Sequence, residues 1–395
     1  MLPADMPCNQ RFVLALVRES FGIPSDFPEP DNIAEIAEMI VWNDILLTVY
    51  PTLKLLVKKH SGNGYDAASM LIKRLHSSLL SAIRVATIQE YEGKKVIESL
   101  SRAGLDCIAL KGWELRNYYP ERLMRQMCDL DILIRPFNRI DVNAVMSSLG
   151  FAKCGGDSWK HHTFKKDVLY VEIHKRLTEN VSNQKKWECT IWEKALEQQR
   201  HIFKMCNDDF YIFHFIHLYN DFKVGNLIIR RIVDTWLLKK TVNNWDYVNR
   251  ILNDLGLLLF HERMINLAAA CMGDSDFDSN SKYLLNYSLK DSVSRKSKLY
   301  KAVRIQSMSG GKSMWLGKLK SFTAAIFLPF HRMKAHYPLL KKVPILLPYF
   351  WIKRIFSLLS GNTQKYRQML DYSDIDKSDY ETAKRFLRAG GIENK

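Results

Sequence analysis

Two aspartates separated by a single residue, Asp129 and Asp131, lie in the run CDLDILIR (128–135), where polar and apolar side chains alternate. Alternate residues of an extended strand share a face, so both carboxylates project to one side and Leu130 and Ile132 to the other. Like charges that close repel, and one takes up a proton unless a cation neutralises the pair, an arrangement suited to a divalent metal. A second alternating run, VLYVEIH (168–174), presents Glu172 and His174 on a common face and supplies a third carboxylate. Hard ions such as magnesium take oxygen ligands, commonly one or two carboxylates with phosphate and water, and serve phosphoryl chemistry. Upstream, Lys111-Gly112 follows another strand-like stretch and offers a cation beside a residue that admits close approach to the backbone.

These groups need a small sheet to bring them together. From 106 to 177 the pattern predicts strands at 106–110, 128–134, 151–154, 161–165 and 168–174, with helices near 113–119 and 138–148. Gly155-Gly156-Asp157 predicts a turn before the later strands. The first hundred residues are helical in pattern: Leu71, Leu75, Leu79, Ile83 and Ala86 recur at helical spacing, and Asn32 to Val49 is apolar along one side. Helical periodicity resumes after Thr178 and persists to the end, with Phe210 to Lys240 the longest apolar-rich piece. The fold class expected is α+β: a small mixed-sheet core at 101–180, flanked by helical regions at 1–100 and 181–290 and a basic helical region at 291–395.

Leu110-Lys111-Gly112, Tyr119-Pro120, Arg125 four residues ahead of Asp129-Leu130-Asp131-Ile132-Leu133-Ile134, and Glu172-Ile173-His174 carry a family resemblance. They resemble the LKG, RxxxDLDLLV and EIH elements of an uncharacterised bacterial nucleotidyltransferase family within the polymerase-beta-like superfamily. The resemblance is strong over 106–177. It implies Mg2+-dependent (or Mn2+-dependent) transfer of a nucleoside monophosphate from an NTP such as ATP, with Asp129, Asp131 and Glu172 as metal ligands. It also implies a second polar cluster of His217, Arg230 or Arg231, and Asp234 near the site, for which a helix-packing ion pair is the alternative.

The chain departs from the broader superfamily in having Trp113, with no hydroxyl, directly after the glycine, and in placing Asp129 seventeen positions after Gly112. That stretch holds Arg116, Arg122 and Arg125, and the phosphate contacts are assigned to Lys111, the Gly112 backbone and Arg125. Lys111 is equally suited to neutralising an aspartate. His174 is a candidate ligand, proton acceptor or buried hydrogen-bonded histidine. Cys128, directly before the aspartates, is expected to point into the core. His214 and His217, three apart with Asp221 beyond, have metal-ligand spacing but fall short of the four ligands of structural zinc.

Charge divides the chain. Between Ser292 and Leu370 there are sixteen Lys or Arg and no Asp or Glu, while the other 42 basic residues balance the 42 acidic ones, so the net charge of +16 belongs to this segment. Ordinary helical surfaces mix both signs, so a segment this one-sided is expected to attract an anionic membrane surface or a polyanionic acceptor, and less so nucleic acid. Pro329, Pro338, Pro344 and Pro348 divide it into short helices, of which Tyr349 to Leu359 mixes Phe350, Ile352, Phe356 and Leu359 with Lys353 and Arg354, a composition suited to a bilayer interface. The seven scattered cysteines form no CxxC pair and predict reduced thiols. With neither a signal-like amino terminus nor a run of about twenty apolar residues, the expectation is a cytoplasmic protein, peripheral to the inner membrane face at most. The alternatives to an enzyme are a nucleotide-binding scaffold of the same fold docked to an anionic surface, and a nucleic-acid end-modifying protein.

Overall fold

The computed structural model describes residues 5–59, 67–137, 139–154, 161–178, 182–289, 293–310, 313–328, 330, 333–334, 337–359 and 374–392. They divide into two units, one drawn from Met1–Gly155, Trp159–Leu218 and Leu227–Lys290, the other from Tyr219–Asn226 and Asp291–Lys395. The turn expected at Gly155-Gly156-Asp157 lies outside the described residues.

The first unit is built on a seven-stranded sheet: β1 (Asp106–Ala109), β2 (Asp129–Arg135), β3 (Ala152–Cys154), β4 (His161–Lys166), β5 (Leu169–His174), β6 (Leu196–Gln199) and β7 (Ile202–Lys204). Their order is β3-β4-β5-β2-β1-β7-β6. β2 runs antiparallel to β1 and parallel to β5, and the β2–β5 register sets Asp131 directly beside Glu172. One face of the sheet is apolar, as the alternation predicts. Leu130, Ile132 and Ile134 of β2 join Leu169, Val171 and Ile173 of β5 in a core with Val96, Ile97 and Leu100 from the helix Ala67–Arg102 and Val142 and Met146 from the helix Arg139–Ser148.

Two departures from the expected elements have local causes. The stretch after Thr178 is not uniformly helical: β6 and β7 form a hairpin that joins the sheet, β7 parallel to β1, with Cys107 opposite Ile202 and Ile108 opposite Phe203. Every residue of β6 is exposed and every residue of β7 half-buried, so neither strand carries the alternation by which strands are recognised. The hairpin turns at His201, whose φ is +62° and whose Nδ1 lies 2.7 Å from Asp106 Oδ1. In the helix Ala67–Arg102, Leu71, Leu75 and Leu79 are buried but Ile83 is 40% exposed. Steps of four advance about 40° around a 3.6-residue helix, so after three steps the stripe has rotated off the core, and Ala86 brings it back.

The same helix carries Gly93 against the ring of Trp113: a Cβ on Gly93 would stand 2.4 Å from Trp113 Cζ3. The missing side chain makes the slot for the indole that follows Lys111-Gly112.

The second unit is helical, with helices Val293–Ser309, Met314–Ile326, Leu347–Leu359 and Lys377–Ala389. Gly317 lets the first two approach, since a Cβ there would lie 2.3 Å from the Ile305 carbonyl. Phe386 of the last helix stacks on Phe222 at 4.1 Å between centroids, and Asp376 and Asp379 form a capping box at that helix's start. Pro338 and Pro344 open short 3-10 turns, as expected of chain breakers; Pro329 lies outside the described residues. Among the described residues no helix is long and apolar enough to cross a membrane.

Candidate active site

The polar face of the sheet gathers the sequence-identified residues. Asp129, Asp131 and Glu172 each offer a carboxylate oxygen within 4.8 Å of the others. Lys111 reaches them from the turn after β1, where its φ of +43° is a left-handed conformation costing a side-chain-bearing residue roughly 1–2 kcal/mol. Its Nζ lies 2.6 Å from Asp131 Oδ1. His174 Nε2 lies 2.7 Å from the same oxygen and 3.3 Å from Glu172 Oε2. Asp131 is 1% exposed, yet its second oxygen, Oδ2, has no hydrogen-bond partner among the described residues. A buried carboxylate oxygen left unpartnered costs free energy unless another group satisfies it.

The electrostatics follow the packing. Burial pushes the Asp129 carboxyl up to about 6, assisted by the charges of Asp131 and Glu172 and opposed by Lys111. Burial acts the same way on Asp131, but the Lys111 ammonium and the His174 hydrogen bond outweigh it and hold that carboxyl below the usual range. Glu172 is lowered by its hydrogen bond from His174 against the effect of burial. His174 is raised: burial favours the neutral ring, and hydrogen bonds to Asp131 and Glu172 prevail. Repulsion between the paired aspartates, expected from their spacing, thus falls mainly on Asp129.

His161 was not singled out in the sequence, and its Nε2 stands 3.6 Å from Glu172 Oε1. Its signal was the alternation of β4, whose antiparallel register puts His161 opposite His174 and Thr163 opposite Glu172.

Beside the carboxylates opens a cavity of about 240 Å³ lined by Lys111, Gly112, Arg125, Met127, Cys128, Asp129, His214, His217, Arg230, Arg231 and Asp234, with Leu115, Phe210 and Phe213 as its apolar wall. Cys128 is exposed here, contrary to the expected core position: β2 begins at Asp129, so the residue before it is not held to the strand's alternation. Arg125 is buried, its Nε and Nη2 donating to the two oxygens of Asp234 at 3.2 and 2.9 Å and its Nη1 to the Gln126 carbonyl at 3.0 Å. Tyr119 also donates to Asp234 Oδ1, at 2.8 Å. Arg116, fully buried, donates to the Arg125 carbonyl and to Gln89 Oε1, and Arg122 pairs with Glu90. The long stretch between Gly112 and Asp129 is therefore tied down by its own arginines.

Gly112 is buried in this framework. A Cβ there would meet Arg125 Nη1 at 2.6 Å and Met127 Cβ at 2.7 Å, so the glycine is required by protein packing as well as by position. His214 Nε2 lies 2.9 Å from Thr235 Oγ1, and burial pushes its pKa down to about 4; His217 is held well below the usual histidine range, again by burial and then by the Lys111 charge. Neither belongs to a group of converging metal-ligand atoms among the described residues.

The donor set fits a hard divalent ion. Three carboxylates converge, the most buried of them has one oxygen held by Lys111 and His174 and the other unsatisfied, and the neighbouring cavity is lined by Lys and Arg. A family model described as "Uncharacterised nucleotidyltransferase" matches residues 29–273, more than half of the chain, and the chain belongs to that family. No curated protein and no solved structure matches it.

Proposed function

We propose that this member of the nucleotidyltransferase family transfers a nucleoside monophosphate from an NTP to an acceptor, with Asp129, Asp131 and Glu172 holding Mg2+ or Mn2+. The observation that carries the reading is Asp131: its Oδ1 is fixed by Lys111 and His174, while its buried Oδ2 has no hydrogen-bond partner among the described residues. A divalent ion bound there supplies Lewis-acid polarisation of phosphate and lowers the pKa of an acceptor hydroxyl.

The chain's own residues do the rest by position and charge. Lys111 and His174 both reach Asp131 Oδ1 and hold that carboxylate in one orientation, the Lys111 ammonium offsetting part of the carboxylate charge. His174, within hydrogen-bond reach of both Asp131 and Glu172, positions these two ligands. Lys111, Gly112 and Arg125 line the cavity in which the β and γ phosphates are held, Arg125 with its guanidinium plane set by Asp234. The phosphorus–oxygen bond to the acceptor forms as the bond to pyrophosphate breaks, with no covalent enzyme intermediate.

The test is incubation of the chain with each α-labelled NTP, Mg2+ or Mn2+ and a cell extract as the source of acceptors. Label is expected in an acceptor with release of pyrophosphate, and Asp131→Asn and Glu172→Gln are expected to abolish both. Undiminished transfer by either variant would falsify the assignment.

A further inference from the structure

The second unit exposes apolar side chains in a way the first does not. Of the twenty-five large hydrophobic residues exposed among the described residues, ten fall between 313 and 359, inside the stretch that has no acidic residue. They are not the outside of an unpacked segment, because the same elements have a core of their own: Met333, Leu340 and Phe350 are buried together, Phe350 stacks on Tyr337 at 4.4 Å, and Trp351 donates to the Leu328 carbonyl at 3.1 Å. In the helix Leu347–Leu359 the side that bears Phe350 is used by that core. Tyr349, Ile352 and Phe356, at i, i+3 and i+7, form a second apolar stripe and are 57%, 53% and 66% exposed. Ile345, in the turn just before, is 84% exposed, and Trp315 on the helix Met314–Ile326 is 70% exposed. Along the sequence, exposed Lys320, Lys334, Lys342 and Lys353 are interspersed among them.

We propose that this face is a docking surface for an anionic lipid bilayer, which takes the apolar side chains into its interface while the lysines meet acidic headgroups. Three properties select lipid over other occupants. A second copy of the face would bring basic residues against basic residues with no acid to pair them, which opposes self-association. Nucleic acid needs cations and a run of stacking platforms; Trp315, Tyr349 and Phe356 are aromatic, but they are broken up by Leu319, Leu339, Val343, Ile345 and Ile352, aliphatic side chains on which bases do not stack. A bilayer surface uses both halves of the composition, apolar insertion and cationic attraction, and needs no spanning helix. This inference does not depend on catalysis by the first unit.

The full chain is sedimented with phosphatidylcholine vesicles with and without phosphatidylglycerol, as wild type, as Ile345→Ser/Ile352→Ser/Phe356→Ser, and as Lys334→Glu/Lys342→Glu/Lys353→Glu. Wild type is expected to pellet with the phosphatidylglycerol vesicles and to remain largely in solution with the neutral ones. Removing a large apolar anchor is expected to weaken partitioning roughly tenfold per residue, and the charge-reversed chain is expected to lose its preference for anionic vesicles. All six positions are exposed, so circular dichroism should be unchanged; if one variant misfolds, the other still decides. Wild type that stays in solution with anionic vesicles, or an apolar variant that pellets as well as wild type, overturns the proposal. So does a wild-type dimer that the apolar variant renders monomeric while neither binds vesicles, or retention on RNA that the apolar substitutions leave unchanged and that occurs without vesicle binding.

Discussion

Asp131 and Asp234 are each 1% exposed, and each faces cationic groups, but they end in opposite states. Asp234 has both oxygens occupied, Oδ1 by Tyr119 and Arg125 and Oδ2 by Arg125 again, and its carboxyl is held below the usual range by that guanidinium against the effect of burial. Asp131 is bonded through Oδ1 alone. Buried charge with every lone pair engaged holds structure together; buried charge with an oxygen left over is poised for something the protein does not itself provide. The same contrast separates the histidines: His174, between carboxylates, is raised, and His214, against a hydroxyl, is pushed down to about 4 by burial.

Asp131→Asn is the sharpest way to break this contrast. It should lower NTP turnover by about a thousandfold or more at a smaller cost in unfolding free energy than loss of Asp234, because the amide oxygen still accepts from Lys111 and His174. Asp234→Ala should act chiefly on stability and lower unfolding free energy by about 3–5 kcal/mol by stranding Arg125 in the interior, measured by urea denaturation. If the two variants exchange these phenotypes, the distinction drawn between the two aspartates is wrong. Lys111→Met should lower turnover roughly ten- to a hundredfold and make the loss steepest at acidic pH, since Asp131 and Asp129 would lose the charge that favours their ionised forms; a pH–rate profile parallel to wild type would remove Lys111 from that role.

The smallest effect expected is on stability against pH. His214 and His261 are buried and held near pH 4, whereas unfolded histidine titrates near about 6.5. Each contributes stability that is complete above about pH 6.5 and is lost as pH falls towards 4, amounting to about 1–2 kcal/mol apiece by pH 5. His174, raised by its carboxylates, works in the other window: its contribution is complete below about 6.5 and is lost as pH rises through its own higher value. Histidine NMR titration would separate the two, and a His214 resonance that titrates at or above the ordinary value would contradict its burial as the controlling factor.

The site was legible wherever a strand's alternation carried it. CDLDILIR and LYVEIH place Asp129, Asp131, Glu172 and His174 on one face because the period of two is a geometric constraint that needs no partner to be recognised. What could not be seen depended on contacts far apart in the chain. Arg125 and Asp234 are 109 positions apart, and nothing local marks an arginine whose fork is already taken. The β6–β7 hairpin went unrecognised because its residues do not alternate in burial, and Cys128 was misplaced because a strand's pattern was extended one residue beyond its ladder. The family match over 29–273 includes the helix that supplies Asp234, so that network lies within the region the family model describes.

Gly93 leaves the slot for the Trp113 ring two residues after Lys111. Even alanine would put a methyl group into the indole and drive the β1 turn outward, taking the lysine with it. A saturation mutagenesis screen selecting for activity should therefore mark position 93 as intolerant as a reactant-contacting residue, and a compensating Trp113→Leu or Trp113→Phe should restore tolerance at both positions together.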